Sequence, residues 1–265
     1  MNYAAAVLDG NPVYLDDETQ GGVIAPPMYA VSLTWPLIAN IWNHIDAEGF
    51  QKEVMMKMVH YTEHIEFIRP VRPGDDLTIA GRIAAILPHR AGTHIVLRLT
   101  ANDSQGNAVF IEHMGGMLRG VRCIDDGTGL ESIPLISRHE SPCNSWEKEI
   151  DIHPLAAHIY DGCTGIHFPI HTSPAFARSV GLPGIILQGT ATLAIAAREL
   201  ISIEAGGDPA MLKELSCRFT GMVMPGSKIR VCLVGKNGSE LFFEVLDENG
   251  QKALSSGCIK LTGVK

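Results

Sequence analysis

One histidine stands on a predicted loop shortly before a glycine that opens an apolar helix, in the stretch TGIHFPIHTSPAFARSVGLPGIILQGTATL (164–193). His171 can exchange protons near neutral pH, as a general acid or base must. Gly189 follows eighteen residues later and precedes TATLAIAAREL, whose apolar residues recur at helical spacing. The N-terminus of such a helix presents backbone N–H groups to an oxygen that gains negative charge, such as the carbonyl of a thioester. The stretch therefore predicts one acid–base residue and one oxyanion site.

The elements that would hold these residues occur twice, about 150 residues apart. The segment EFIRPVRPGDDLTIAGRI (66–83) resembles RFTGMVMPGSKIRVCLVG (218–235). In both, a Pro-Gly pair lies between stretches in which apolar and polar residues alternate. ANDSQGNAVFIEHMGGMLRG (101–120) resembles LDENGQKALSSGCIKLTG (246–263), and each holds an Asp-x-x-Gly hairpin turn. Apolar helices are predicted over 25–42 and 189–201. Each half predicts one long helix on an antiparallel sheet, which is an α+β fold.

The chain divides into two predicted units of ordinary domain size. We expect a first repeat at 1–121, a linker at 122–152 and a second repeat at 153–265. The linker is rich in Gly, Pro, Ser and charges and has little periodicity. Trp146 and Ile150 within it are candidates for a strand.

Composition excludes several classes of protein. The 46% hydrophobic content argues against disorder, and the absence of a signal segment or a long apolar run predicts a cytoplasmic protein without membrane contact. A net charge of −8 argues against nucleic acid as a partner. Six cysteines without a C-x-x-C pair predict free thiols. Dinucleotide, Walker, H-E-x-x-H and G-x-S-x-G motifs are absent, so we expect no cofactor and no metal.

This arrangement resembles the MaoC-like, R-specific enoyl-CoA hydratase family in its two-repeat, double hotdog form. The second half carries the family's loop motif at Gly165, Pro169, Ile170 and His171, and its helix-opening glycine at Gly189. The first half carries a copy in DGNPVY (9–14), GGVIAPPM (21–28) and VHYTEHIEFIRPVRPGDDL (59–77). The resemblance implies the addition or removal of water at C3 of an acyl thioester of CoA or acyl carrier protein, in fatty acid metabolism. It also implies His171 as the acid–base residue and Gly189 as the oxyanion donor.

Neither copy holds the family's complete Asp/His pair. In the second half Ile166 stands at the position of the aspartate and Phe168 at that of the asparagine. In the first half Asp9 remains, but Tyr14 replaces the histidine and Pro27 the helix-opening glycine. Proline has no N–H to offer, so we expect the first-half site not to act as a hydratase site.

Three neighbours of His171 are candidates to replace the missing carboxylate. Asp161 lies five residues before Ile166 and could instead cap a turn. His167 could exchange a proton, or it could be a half-buried loop histidine with a backbone partner. Tyr160 could position a water molecule, or it could pack in the core.

The sequence leaves three functions open. The first is a hydro-lyase centred on His171. The second is hydrolysis of the thioester, which would need a carboxylate that activates water near the helix. The third is an acyl-CoA-binding or partner subunit that has lost turnover. A homodimer is expected in each case, because exposed sheet edges often pair.

Overall fold

The computed structural model describes residues 1–45, 54, 58–137, 139 and 145–263. Cys143 lies outside the described residues, and the other five cysteines are free thiols, as predicted. The helices of the described part are α1 (Asn2–Ala6), α2 (Pro12–Leu15), α3 (Ala30–Ala39), α4 (Ala156–Thr164), α5 (Pro174–Ser179) and α6 (Gly189–Glu204). The strands are β1 (Met58–Phe67), β2 (Thr78–His89), β3 (Gly92–Asn102), β4 (Ala108–Arg119), β5 (Trp146–Asp151), β6 (Leu212–Phe219), β7 (Lys228–Asn237), β8 (Glu240–Asp247) and β9 (Lys252–Leu261).

All described strands form one antiparallel sheet in the order β2-β3-β4-β1-β6-β9-β8-β7-β5. The two halves meet where β1 pairs with β6. On either side of that pair, β4 mirrors β9, β3 mirrors β8 and β2 mirrors β7. Strand β5 is additional and pairs with β7 at one edge, so the strand expected around Trp146 and Ile150 is present.

The hairpin turns of the two halves have the same hydrogen bonds. The carboxylate of Asp103 accepts the N–H of Asn107 at 2.9 Å. The carboxylate of Asp247 accepts the N–H of Gln251 at 2.8 Å. The glycine of each turn has a positive φ, 82° in the first half and 75° in the second, a conformation that glycine adopts without strain. The predicted Asp-x-x-Gly turns are therefore confirmed as equivalent elements.

The two long helices begin at equivalent places but on different residues. The N–H groups of Ala25 and Leu187 each donate, at 2.8 Å, to the valine carbonyl two residues before the Pro-Gly turn of the same half. Two residues further on, the first half has Pro27 and the second has Gly189. The first helix is shorter than the predicted 25–42, because 3₁₀ turns at Pro27–Tyr29 and Ile41–Asn43 flank α3.

Helix α6 lies in the core between the sheet and the N-terminal segment. Almost every residue from Thr190 to Ile201 is buried. Many of these residues are alanines, which allow close approach of the helix to its neighbours. No helix among the described residues has the length and apolar character needed to span a bilayer.

Candidate active site

A short loop between α4 and α5 presents His171. Helix α4 ends at Thr164 and is capped by Gly165, whose φ of 72° turns the chain into the loop. His171 closes the 3₁₀ turn Pro169–His171, where its N–H donates to the carbonyl of Phe168 at 3.1 Å. Two residues later, the hydroxyl of Ser173 accepts the N–H of Phe176 at 3.2 Å and so caps α5. The turn and the cap fix the backbone on both sides of His171.

The imidazole of His171 has a fixed orientation. Its Nδ1 lies 2.8 Å from the carbonyl oxygen of Ile186, and a carbonyl can only accept, so Nδ1 carries the hydrogen. Nε2 is therefore left as the proton acceptor. Burial lowers the pKa of His171, against the opposing effects of the Ile186 carbonyl and the charge of Asp161. A neutral imidazole at neutral pH is the form that a general base needs.

Gly189 is the first residue of α6, three residues after the carbonyl that holds His171. No side chain caps this helix, and among the residues that the structure describes none accepts the N–H of Gly189. A Cβ on Gly189 would lie 2.8 Å from Cδ1 of Phe219. The position thus needs glycine for packing, and its amide is unpaired at the positive end of the helix dipole.

The structure brings two of the carboxylate candidates together. The carboxylate of Asp161, on α4, contacts Nδ1 of His167. Its side chain is 15% exposed and that of His167 is 67% exposed. The other oxygen, Oδ1 of Asp161, is buried without a partner among the described residues. The charge of Asp161 raises the pKa of His171, although no hydrogen bond joins the two in the described part of the chain.

The residues at the positions of the family's aspartate and asparagine provide no polar side chain. Ile166 is buried in the main core, and Phe168 is largely exposed. Tyr160 is fully buried, with its hydroxyl 2.7 Å from that of Tyr3 and donating to Thr190 Oγ1 at 3.0 Å. Of the two interpretations of Tyr160, packing in the core is the one that the structure bears out.

The first-half motif serves the fold. The carboxamide of Asn11 accepts the N–H of Val13 at 3.2 Å and donates to the carbonyl of Gly207 at 2.7 Å. Tyr14, at the position of His171, is 1% exposed. An open cavity of about 540 Å³ lies beside Asp9 and Asn11, and the loop of His171 does not line it. His171 itself is partly exposed.

Sequence reasoning missed a polar group near Gly189. The His60 ring packs on Phe219 with ring centroids 4.3 Å apart, and Nε2 of His60 lies 3.1 Å from the carboxylate of Glu63. Residues three apart on a regular strand face opposite sides. A bulge after His60 puts these two on one side, and nothing in the sequence signals it.

Both halves of the chain match known protein families. Residues 140–256 match the family described as MaoC like domain, and residues 1–112 match the FAS1-like dehydratase domain region. A Dictyostelium discoideum protein named probable enoyl-CoA hydratase 2 is 23% identical over 220 residues, 82% of this chain and 74% of that protein. The peroxisomal enoyl-CoA hydratase 2 of Arabidopsis thaliana is 29% identical over 239 residues, 86% of this chain and 75% of that protein.

The fold has counterparts among solved structures. The crystal structure of a MaoC-like dehydratase from Phytophthora capsici superposes with a TM-score of 0.88 at 21% identity, covering 98% of this chain and 90% of that one. A Mycobacterium tuberculosis protein described as having a double hotdog fold superposes with a TM-score of 0.60 at 12% identity, covering 98% and 89%. The predicted α+β double hotdog is therefore confirmed. Both halves of the chain thus match dehydratase families, the second half the MaoC-like domain and the first half the FAS1-like dehydratase region.

Proposed function

We propose that this chain is a hydro-lyase that adds water to, or removes it from, C3 of an acyl thioester, with His171 as the acid–base residue and Gly189 as the oxyanion donor. The observation that carries the proposal is the hydrogen bond from His171 Nδ1 to the Ile186 carbonyl. It leaves Nε2 as the acceptor, on the segment that leads directly into the free amide of Gly189. The names of the hydratase relatives support the same chemistry.

In the hydration direction, Nε2 of His171 accepts a proton from water while the water oxygen bonds to C3. The electron pair of the C2–C3 double bond moves toward the carbonyl, whose oxygen gains negative charge. The N–H of Gly189 donates to that oxygen, an interaction that strengthens as the charge develops. The imidazolium then returns its proton to C2, and the carbonyl re-forms. Dehydration reverses these steps.

Asp161 supplies the negative charge that Ile166 does not. A carboxylate near the imidazole stabilises the imidazolium that forms during proton transfer. The charge of Asp161 raises the pKa of His171, as expected for a carboxylate that stabilises the imidazolium. His167 is assigned the role of holding the carboxylate, which it contacts through Nδ1. Asp161 and His167 thus act as the two supporting residues of the site.

The test is the hydration of crotonyl-CoA and longer enoyl-CoAs, followed by the loss of absorbance of the conjugated thioester. General acid–base catalysis contributes about 10²–10⁴-fold, so His171→Ala should lose at least about a hundredfold in kcat. His158→Ala is the matched control, because His158 is an exposed histidine on α4 and should leave the rate unchanged. Equal rates for the His171 variant and the wild type would refute the assignment of the site.

The same samples decide between the alternative functions. Release of free CoA, measured with a colorimetric thiol reagent, would indicate hydrolysis of the thioester. Binding of acyl-CoA without either reaction would indicate a subunit that has lost turnover. The repeat boundaries at 121 and 152, the choice between CoA and carrier protein, the homodimer and the cytoplasmic location stay predictions of the sequence.

A further inference from the structure

A buried carboxyl group of the first half contacts His60, whose ring packs on the aromatic neighbour of Gly189. Glu63 projects from β1, and its side chain is fully buried. The register of β1 against β4 shifts between His60 and Thr62, so the ring of His60 faces the same side as Glu63. The Nε2 atom of His60 lies 3.1 Å from Oε2 of Glu63 and 3.2 Å from the carbonyl of Thr62.

His60 connects Glu63 with Gly189 through one aromatic ring. The rings of His60 and Phe219 pack with centroids 4.3 Å apart and planes tilted by 50°. The ring of Phe219 also lies against Gly189, so closely that a Cβ there would come within 2.8 Å of the ring. A displacement of His60 would therefore move Phe219, and with it the first residue of α6.

A second connection reaches the next residue of the helix. The hydroxyl of Thr190 accepts a hydrogen bond from Tyr160 at 3.0 Å, and the hydroxyl of Tyr160 lies 2.7 Å from that of Tyr3. Burial raises the pKa of both tyrosines, and the charge of Glu63 adds a smaller effect in the same direction. The first turn of α6 thus contacts Phe219 at Gly189 and Tyr160 at Thr190.

The double hotdog does not need a carboxyl group at this place. In the repeat alignment that matches Glu66 with Arg218, the counterpart of Glu63 is Leu215, which is fully buried in the same sheet. Both carboxyl oxygens of Glu63 lack hydrogen-bond partners among the described residues. A buried polar group in this state costs stability, and apolar replacements of buried ionisable groups are often neutral or stabilising. A polar Glu63 thus needs a reason other than the stability of the fold.

We propose that Glu63 is a positioning residue for the thioester site. From the first half, it contacts His60, whose ring packs on Phe219, and through these two rings it holds the first turn of α6 and the amide of Gly189. The inference rests on the proposed function, because it assigns that amide to the oxyanion.

The chemical state of Glu63 fits this role. Burial raises the pKa of Glu63 well above its usual range, which favours the neutral carboxyl. Burial also lowers the pKa of His60 to about 4, which keeps the imidazole neutral. A neutral carboxyl does not place a negative charge near the site where an oxyanion forms. The titratable groups that face Glu63 from the packed elements are Tyr3, His60, Glu112, Tyr160 and Cys217.

The test replaces Glu63 by the residue of the other half. Glu63→Leu should keep or raise Tm but lower kcat at least tenfold with little change in KM, because the apolar side chain cannot bind the imidazole. Hydrogen exchange followed by mass spectrometry should show exchange at least tenfold faster in the peptide that begins α6. The exchange measurement does not depend on activity.

Two further variants complete the test. Glu63→Gln keeps the shape and a polar group opposite Nε2 of His60 without a titratable proton, so it should recover kcat to within about threefold of the wild type. Thr93→Val is the control, since Thr93 is buried on β3 and its hydroxyl donates to the carbonyl of Val121 at 2.8 Å. It should change neither kcat nor the exchange at α6.

The outcomes separate this inference from the proposed function. If Glu63→Leu retains wild-type kcat and wild-type exchange at α6, or if Glu63→Gln is as slow as Glu63→Leu, the positioning role is refuted. A hydratase activity that is lost in His171→Ala would then still support the proposed function. If the wild type hydrates no enoyl-CoA, the proposed function fails, while the exchange of the first turn still decides whether Glu63 holds it.

Discussion

Gly189→Ala is the substitution with the most direct structural consequence at the proposed oxyanion site. The new Cβ would lie 2.8 Å from Cδ1, 3.0 Å from Cε1 and 3.4 Å from Cγ of Phe219. Carbon atoms in good contact are about 3.5–4.0 Å apart, so the ring or the helix must move by roughly 0.7 Å. Overpacking of this kind costs about 1–3 kcal/mol. Alanine has the better helix propensity by up to about 1 kcal/mol, which offsets part of that cost.

The net expectation is a loss of about 1–2 kcal/mol in the free energy of unfolding, or a few degrees in Tm for a chain of this length. The amide is retained but displaced. Because removal of one oxyanion donor costs about 10²–10³ in kcat, a displaced donor should cost about 10–100-fold. Hydration of crotonyl-CoA and urea denaturation measure the two effects on the same preparation.

Phe219→Leu provides the matched second substitution, since it removes the ring atoms that the alanine would meet. If the contact is the cause, the double variant Gly189→Ala/Phe219→Leu should be more stable than the sum of the single effects by about 1 kcal/mol. It should also regain most of the activity that Gly189→Ala loses. Wild-type kcat in Gly189→Ala alone, or strictly additive effects in the double variant, would show that the close packing at Gly189 does not set the position of its amide.

Two titration experiments follow from the same site. Asp161→Asn removes a charge that raises the pKa of His171, so the acid limb of the pH–rate profile should shift to lower pH while kcat falls about tenfold. An unshifted acid limb would show that Asp161 does not act on His171. Because the folded-state pKa of Glu63 is raised, its favourable contribution is present below its unfolded pKa and is lost as the pH rises. Above about pH 4.5, urea denaturation should therefore find the wild type losing stability relative to Glu63→Gln by up to about 1.4 kcal/mol per pH unit, and a constant difference would contradict a neutral buried Glu63.

The two-repeat fold was predictable because local turn chemistry occurs twice. An Asp-x-x-Gly sequence specifies a tight hairpin through its own side chain and a glycine with positive φ, whatever surrounds it. Asp103 and Asp247 do this with the same hydrogen bonds. Helix α6 was predictable for a similar reason, since its residues are apolar at helical spacing over four turns. These features depend on residues close together in the chain.

The candidate site was predictable only in part. His171 and Gly189 stand out by their types and spacing. The partner of Asp161 was harder to predict, because α4 lacks the usual helix signals: it has no capping side chain and contains a glycine. Without a predicted helix, the position of Asp161 relative to the loop was unknown. The neighbourhood of Gly189 was missed altogether. It is built from β1, β6 and the bulge after His60, which are elements far apart in the chain. Long-range packing and a one-residue change of register leave no local signal.

The substitutions between the halves are complementary. The second half keeps the histidine and the helix-opening glycine where the first half has Tyr14 and Pro27. The first half keeps the buried carboxyl of Glu63 where the second has Leu215. Two independent sites would each need both kinds of residue on their own side of the β1–β6 pair. In the proposed assignment, the groups that touch a thioester come from one repeat and the polar support near them comes from the other, so a single site would draw on both repeats.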